Sequence, residues 1–180
     1  WKKIHGILEW GYFNPHFIFL SGIDLLLLLH NQKHLKTMAT RSRIAIEDQD
    51  GTVRSIYCHW DGYPEHHGPI LLKHYTTQEK VESLIALGSI SSLSSETEIP
   101  EGVSHNFENP ANGIVVAYHR DRGEELSFEA HGSVNEFVKS DVEEYGYVFT
   151  AAGEWLFANG HVGTYDREAV LLENVLPVEE

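Results

Sequence analysis

Arg43-Ile44-Ala45-Ile46-Glu47-Asp48-Gln49-Asp50-Gly51-Thr52-Val53-Arg54-Ser55-Ile56-Tyr57-Cys58-His59 alternates, turns and alternates again. Alternation over five or more residues is the mark of a strand with two unlike faces. Asp48-Gln49-Asp50-Gly51 is turn chemistry, with Gly51 free to take positive φ. The stretch therefore reads as a β-hairpin. Its second strand sets Val53, Ser55, Tyr57 and His59 on one face and Arg54, Ile56, Cys58 and Trp60 on the other.

Downstream, Asp61 to His67 reads as a loop punctuated by Gly62 and Pro64. Pro69 fits the first turn of a short helix over 70–75, where its missing N–H costs nothing. Thr76-Thr77-Gln78-Glu79 has the form of a capping box, and Val81, Leu84 and Ile85 share one face of the helix it opens, which stops at Gly88. Residues 89–112, rich in Ser, Glu, Asn, Pro and Gly, read as a long surface loop. Gly113 to His119 reads as a central strand and Arg120 to Glu125 as a charged turn. Ser133-Val134-Asn135-Glu136 is a second capping box opening a short helix. Tyr147–Thr150 and Glu154–Ala158 flank Ala151-Ala152-Gly153 and read as a second hairpin. The order β-β-α-α-β-α-β-β implies an α+β fold: an antiparallel or mixed sheet with two to three short helices packed on one face.

Residues 1–37 read differently. They are rich in Leu, Phe, His and Lys without a clean period, and the only Met is Met38. We expect Met38 to start the functional unit, with 1–37 a non-native or upstream leader and 38–180 a single domain. The rival reading is an export or anchor signal. The apolar run Phe17–Leu29 has 13 residues and includes Asp24, whereas a bilayer needs about 20.

Residues 38–180 hold 9 of the 13 Lys and Arg and 25 of the 27 Asp and Glu, a net charge of −16 with His neutral. Such a field repels nucleic-acid phosphates, so no nucleic-acid partner is expected. No membrane partner is expected either. Any macromolecular partner should present a basic patch. A single cysteine excludes an internal disulfide and fits a reducing, cytoplasmic compartment.

Chemistry-bearing side chains concentrate in Tyr57-Cys58-His59-Trp60-Asp61-Gly62-Tyr63-Pro64-Glu65-His66-His67-Gly68. We expect this segment to line the main concave site, with Tyr57, His59, Trp60, Asp61, Tyr63, His66 and His67 meeting a ligand or partner. His59-Trp60-Asp61 and His119-Arg120-Asp121 share an H-x-D pattern at two expected strand ends. In extended backbone His and Asp of each pair lie on one side. If the ends align, His59, Asp61, His119 and Asp121 converge on a site suited to Zn²⁺, Mn²⁺ or Fe²⁺. The alternative is that each Asp caps a turn and each His stacks on an aromatic ring. Cys58 is expected to be buried and inert, because His59 points to the opposite face and cannot activate it.

Met38-Ala39-Thr40-Arg41-Ser42, Asp50-Gly51-Thr52-Val53, Tyr57-Cys58-His59-Trp60-Asp61-Gly62-Tyr63-Pro64 and Ala117-Tyr118-His119-Arg120-Asp121-Arg122-Gly123 resemble a family of small bacteriophage and prophage proteins without an assigned activity. The resemblance runs from about Met38 to Trp155 and implies a phage accessory protein in the host cytoplasm. The leading expectation is therefore a protein that binds a host or phage macromolecule, in host takeover or counter-defence. A metal-dependent hydrolase using the His/Asp group is the second reading, and a small-ligand binding module using Trp60 and Tyr63 the third.

Overall fold

The structure is a computed structural model and describes residues 39–177. The readings of residues 1–37 as a leader and of Met38 as the start lie outside those residues. The hairpin forms as expected: β1 (Ser42–Glu47) pairs antiparallel with β2 (Val53–Cys58), with Ile44 opposite Ile56. Gly51 sits in the turn at φ 85°. The second hairpin, β6 (Tyr145–Phe149) and β7 (Trp155–Asn159), turns through Gly153 at φ 85°. Residue patterning does not fix how the hairpins join. β6 lies parallel to β1, Ile44 opposite Tyr147, so the sheet is mixed.

Three short strands complete it. β3 (Ile90–Ser92) and β5 (Glu129–His131) share the free edge of β2, β3 parallel at its end and β5 antiparallel at its start. β4 (Val116–Ala117) pairs with β3, and β8 (Ala169–Leu171) pairs with β7. The order is β4-β3-β2-β1-β6-β7-β8, with β5 beside β2. The expected loop over 89–112 thus contains a strand. The expected central strand over 113–119 is instead a two-residue pairing at the sheet's margin. The chain turns helical at Tyr118, in α3 (Tyr118–Arg122), which ends on left-handed Gly123.

The helices were shifted as well. α1 spans Pro64–His74, with Pro64 in its first turn and Pro69 inside it. Of the expected loop Asp61–His67, the part from Pro64 on is therefore its first turn, and Asp61–Tyr63 stay non-helical. Gly68 lets Leu176 approach, since a Cβ there would meet the Leu176 side chain. α2 (Gln78–Ile85) is capped by Thr77, one residue later than expected, its hydroxyl accepting from Lys80 N. α4 (Val134–Lys139) is capped by Ser133 as expected.

Both faces of β1 are buried. Ile44 and Ile46 join Ile56, Cys58, Leu71, Leu84, Tyr147 and Phe157 under α1 and α2. Ala45 faces the other way, with Val53, Phe137, Val138 and Val148 under α4. The α4 layer is small, and it leaves a polar strip of that second face, around Arg43, Ser55 and Tyr57, beyond its apolar cluster. Among the described residues no helix is long and apolar enough to cross a membrane.

Candidate functional site

Beyond β2 the ladder runs on for two residues: His59 N–H donates to Ile90 O (3.2 Å) and Trp60 N–H to Ser91 O (3.0 Å). Asp61 then takes a left-handed conformation, φ 56°. Gly62 folds back so that its N–H donates to Thr40 O (2.8 Å), and a Cβ there would collide with Ser42 and Arg41. Tyr147 Oη donates to Gly62 O (2.8 Å) from the core. These contacts hold a turn that Asp61 would otherwise disfavour.

The expected site residues fall into two aromatic runs. In the first, Tyr57 meets His59 (centroids 5.9 Å) and His59 meets Trp60 edge-on (4.7 Å). All three are half-buried. In the second, exposed Tyr63 leads through His66 (5.8 Å) and His67 (5.4 Å) to buried Tyr147 (5.5 Å). Asp61 stands exposed between the runs. His67 is completely buried, so it reaches no partner directly and its role is in packing.

Charged residues that sequence patterning did not single out surround the first run. Arg43 is Tyr57's cross-strand neighbour and donates to Glu129 (2.7 Å). Arg41 grips Glu144 (2.8 Å), with Glu143 at 3.9 Å. Glu143 is left-handed (φ 61°), and Gly160 is packed so closely that a Cβ there would meet the Glu143 carbonyl. Burial, then the Glu143 charge, pushes the Tyr57 phenol up to about 12. Tyr57 therefore keeps its proton, and its hydroxyl shares a hydrogen bond with His59 Nδ1 (2.7 Å). The arrangement can stack and hydrogen-bond. It presents no activated nucleophile.

The expected metal group is not assembled. Among the described residues no three His, Cys, Asp or Glu side chains come together to hold an ion. The physical reason is that neither H-x-D is extended. Asp61 is left-handed, and His119 and Asp121 lie on α3, where residues two apart point to different sides. His119 Nδ1 bonds Glu124 O (2.7 Å). Asp121 is nearly sealed. It accepts from Arg120 (2.6 and 2.8 Å), Ala117 N–H (2.7 Å) and His105 Nε2 (3.1 Å). Because Ala111 N–H donates to His105 Nδ1 (3.0 Å), that ring carries its proton on Nε2, toward Asp121. His105 lies in the 93–115 loop, so the second H-x-D pins that loop to α3 as a structural lock.

Cys58 is buried, and burial pushes its thiol up to about 12. Inertness follows. Alkylation of the folded chain by iodoacetamide at mildly alkaline pH should be slower than in denaturant by about two orders of magnitude or more, since the thiolate is the reactive form. Comparable rates in the two states would refute the burial. Within the Tyr57–Gly68 segment Glu65 borders a cleft, beside Pro69, Leu176 and Pro177.

Compared with known proteins, the chain matches no family model, no curated protein and no solved structure.

Proposed function

We propose that the chain is a small phage-type accessory protein that acts in the host cytoplasm by binding a basic host or phage protein. The observation that carries this reading is how the cations are used. Residues 39–177 contain nine Lys and Arg against 23 Asp and Glu. Arg41, Arg43, Arg54, Arg120 and Arg122 are paired with carboxylates. Lys139 and Arg167 donate to backbone carbonyls. Among the described residues only Lys73 and Lys80 lack such a partner. Among the described residues no basic patch is left to hold phosphates, whereas most carboxylates face solvent. The Tyr57–His59–Trp60 run and exposed Tyr63 supply the apolar part of a contact surface.

The test is binding of the full chain to poly-L-lysine and to a duplex DNA oligomer at low and molar salt. Poly-lysine should bind at low salt and be released at molar salt, because screening shortens the charges' reach to about 3 Å there. The duplex should not bind at either. Tight DNA binding, or no poly-lysine binding at low salt, would overturn the proposal.

A further inference from the structure

We propose that a second site, the cleft between the end of α1, the β6–β7 turn and the C-terminal segment, anchors a lysine or arginine side chain of the protein partner; this rests on the reading above that the partner is basic. Leu72, Phe149, Trp155 and Leu171 give the cleft apolar walls, and Glu154 and Glu173 stand on its rim. Its volume is about 200 Å³. That is below the roughly 300–1,000 Å³ of sites for drug-sized ligands, so it suits one side chain.

The lining selects the chemistry of the occupant. Trp155 Nε1–H is engaged by Tyr75 O (2.9 Å), so Trp155 offers the cleft carbon surface only. Glu154 and Glu173 are exposed and form no ion pair among the described residues, although Lys73 follows Leu72 in α1. An apolar slot closed by two carboxylates matches a long aliphatic stem with a cationic head, which buries its methylenes and keeps its charge at the rim. A carboxylate or phosphate ligand would be repelled, and a purely apolar one would leave the rim charges unused.

The cleft is preformed. The turn that carries Glu154 is closed by Thr150 N–H to Glu154 O (2.9 Å), Gly153 N–H to Thr150 O (2.9 Å) and Glu154 N–H to Thr150 Oγ1 (3.2 Å). Ala151 N–H is held by the Glu47 carboxylate (2.9 Å). Glu173 sits in a 3-10 turn, Leu172–Asn174, rooted by fully buried Leu172. A rigid rim avoids the ordering cost of binding.

The experiment uses the full, isotope-labelled chain and capped pentapeptides of glycine with a central lysine, arginine or norleucine. The Trp155 indole and the Leu72 and Leu171 methyl resonances are followed during titration. Lysine and arginine peptides should shift them saturably, and the norleucine peptide should bind about fivefold more weakly or worse. Glu154→Gln with Glu173→Gln should cost the lysine peptide a similar factor. Glu101→Gln with Glu108→Gln removes the same charge from the 93–115 loop, outside the cleft, and should change binding less than twofold. No saturable shift, or equal losses in the two double variants, would overturn the anchor. Poly-lysine binding separates the two proposals. If poly-lysine binds but the peptides give no saturable shift, or the two double variants lose equally, the anchor fails and the broader reading stands. If the unmodified chain does not bind poly-lysine, the broader reading fails.

Discussion

Replacing Asp121 with alanine is expected to lower the unfolding free energy by about 3–5 kcal/mol, the cost of removing one partner from a buried charge pair. Its side chain is 2% exposed. Truncation would leave the His105 Nε2–H and the Ala117 N–H without their acceptor at once, and would take the carboxylate from Arg120, which keeps only the Thr97 and Val115 carbonyls. Burial works to raise the Asp121 pKa, but Arg120, the Ala117 N–H and His105 outweigh it and hold the carboxyl at about 2. The lock is therefore complete above the ordinary carboxylate range and is lost only as pH falls toward 2. In thermal melts the alanine variant should unfold about 10–15 °C lower. Asp121→Asn keeps an acceptor for two of the donors and should lose less. Denaturant melts of both variants decide the matter: a loss below about 1 kcal/mol for alanine would mean that water replaces the carboxylate and that the 93–115 loop is not pinned there.

That lock also explains why His59, Asp61, His119 and Asp121 do not come together. His119-Arg120-Asp121 follows an apolar run, and extended backbone was the simplest continuation of Gly113 to Ala117. Two features bend it into α3. Gly123 accepts the left-handed cap at φ 74°, and the Asp121 carboxylate reaches back to Ala117 N–H. The first was visible as a glycine. The second depends on His105 and Arg120 drawing Asp121 inward, and nothing in the 93–115 loop marks His105 as a partner. Local pattern was sufficient for both hairpins because each strand alternates against a turn glycine. It could not place β6 parallel to β1, a pairing across about 100 residues of chain. β3 is hidden for a related reason: Ile90-Ser91-Ser92 has one apolar residue, and its strand character comes from docking beside the end of β2.

The Tyr57–Gly68 segment is dense in chemistry-bearing side chains, yet its residues divide between surface and core. Tyr57, His59, Trp60 and Tyr63 reach solvent, whereas His67 does not. Residue pattern does not mark this division, because Pro64 reads as loop punctuation until it is seen in the first turn of α1. Once the helix starts there, His67 and Leu71 are one turn apart on the buried face. The ion pairs around Tyr57 were equally hidden. Arg41 and Arg43 find Glu144 and Glu129 from distant segments, and only the sheet order makes them neighbours.

Acidification is expected to destabilise the fold through His67 in particular. The ring is fully buried, its Nδ1 lies 3.2 Å from His66 Nδ1, and its Nε2 has no partner among the described residues. Burial, and then the neighbouring His66, depress its pKa to about 3. The unfolded chain takes up that proton near pH 6.5, so the folded state forgoes it over the interval between. Above about pH 6.5 the ring is neutral in both states and its titration contributes nothing; below it, stability falls by about 1.4 kcal/mol per pH unit until the folded pKa is reached. The His67 contribution should thus be about 2 kcal/mol lower at about pH 5 than at neutrality. His131, also depressed by burial, adds to the same slope, so the measurement must be a difference. His67→Leu keeps an apolar ring-sized group against Tyr147 and removes the titration. Denaturant melts at neutral pH and at about pH 5 should show the variant losing about 2 kcal/mol less than the unmodified chain. Ring-nitrogen shifts of His67 should stay those of a neutral imidazole throughout. Equal acid losses in the two proteins, or a His67 that titrates near 6.5 in the folded chain, would mean that solvent or a further group reaches Nε2 and that α1 is not closed over it.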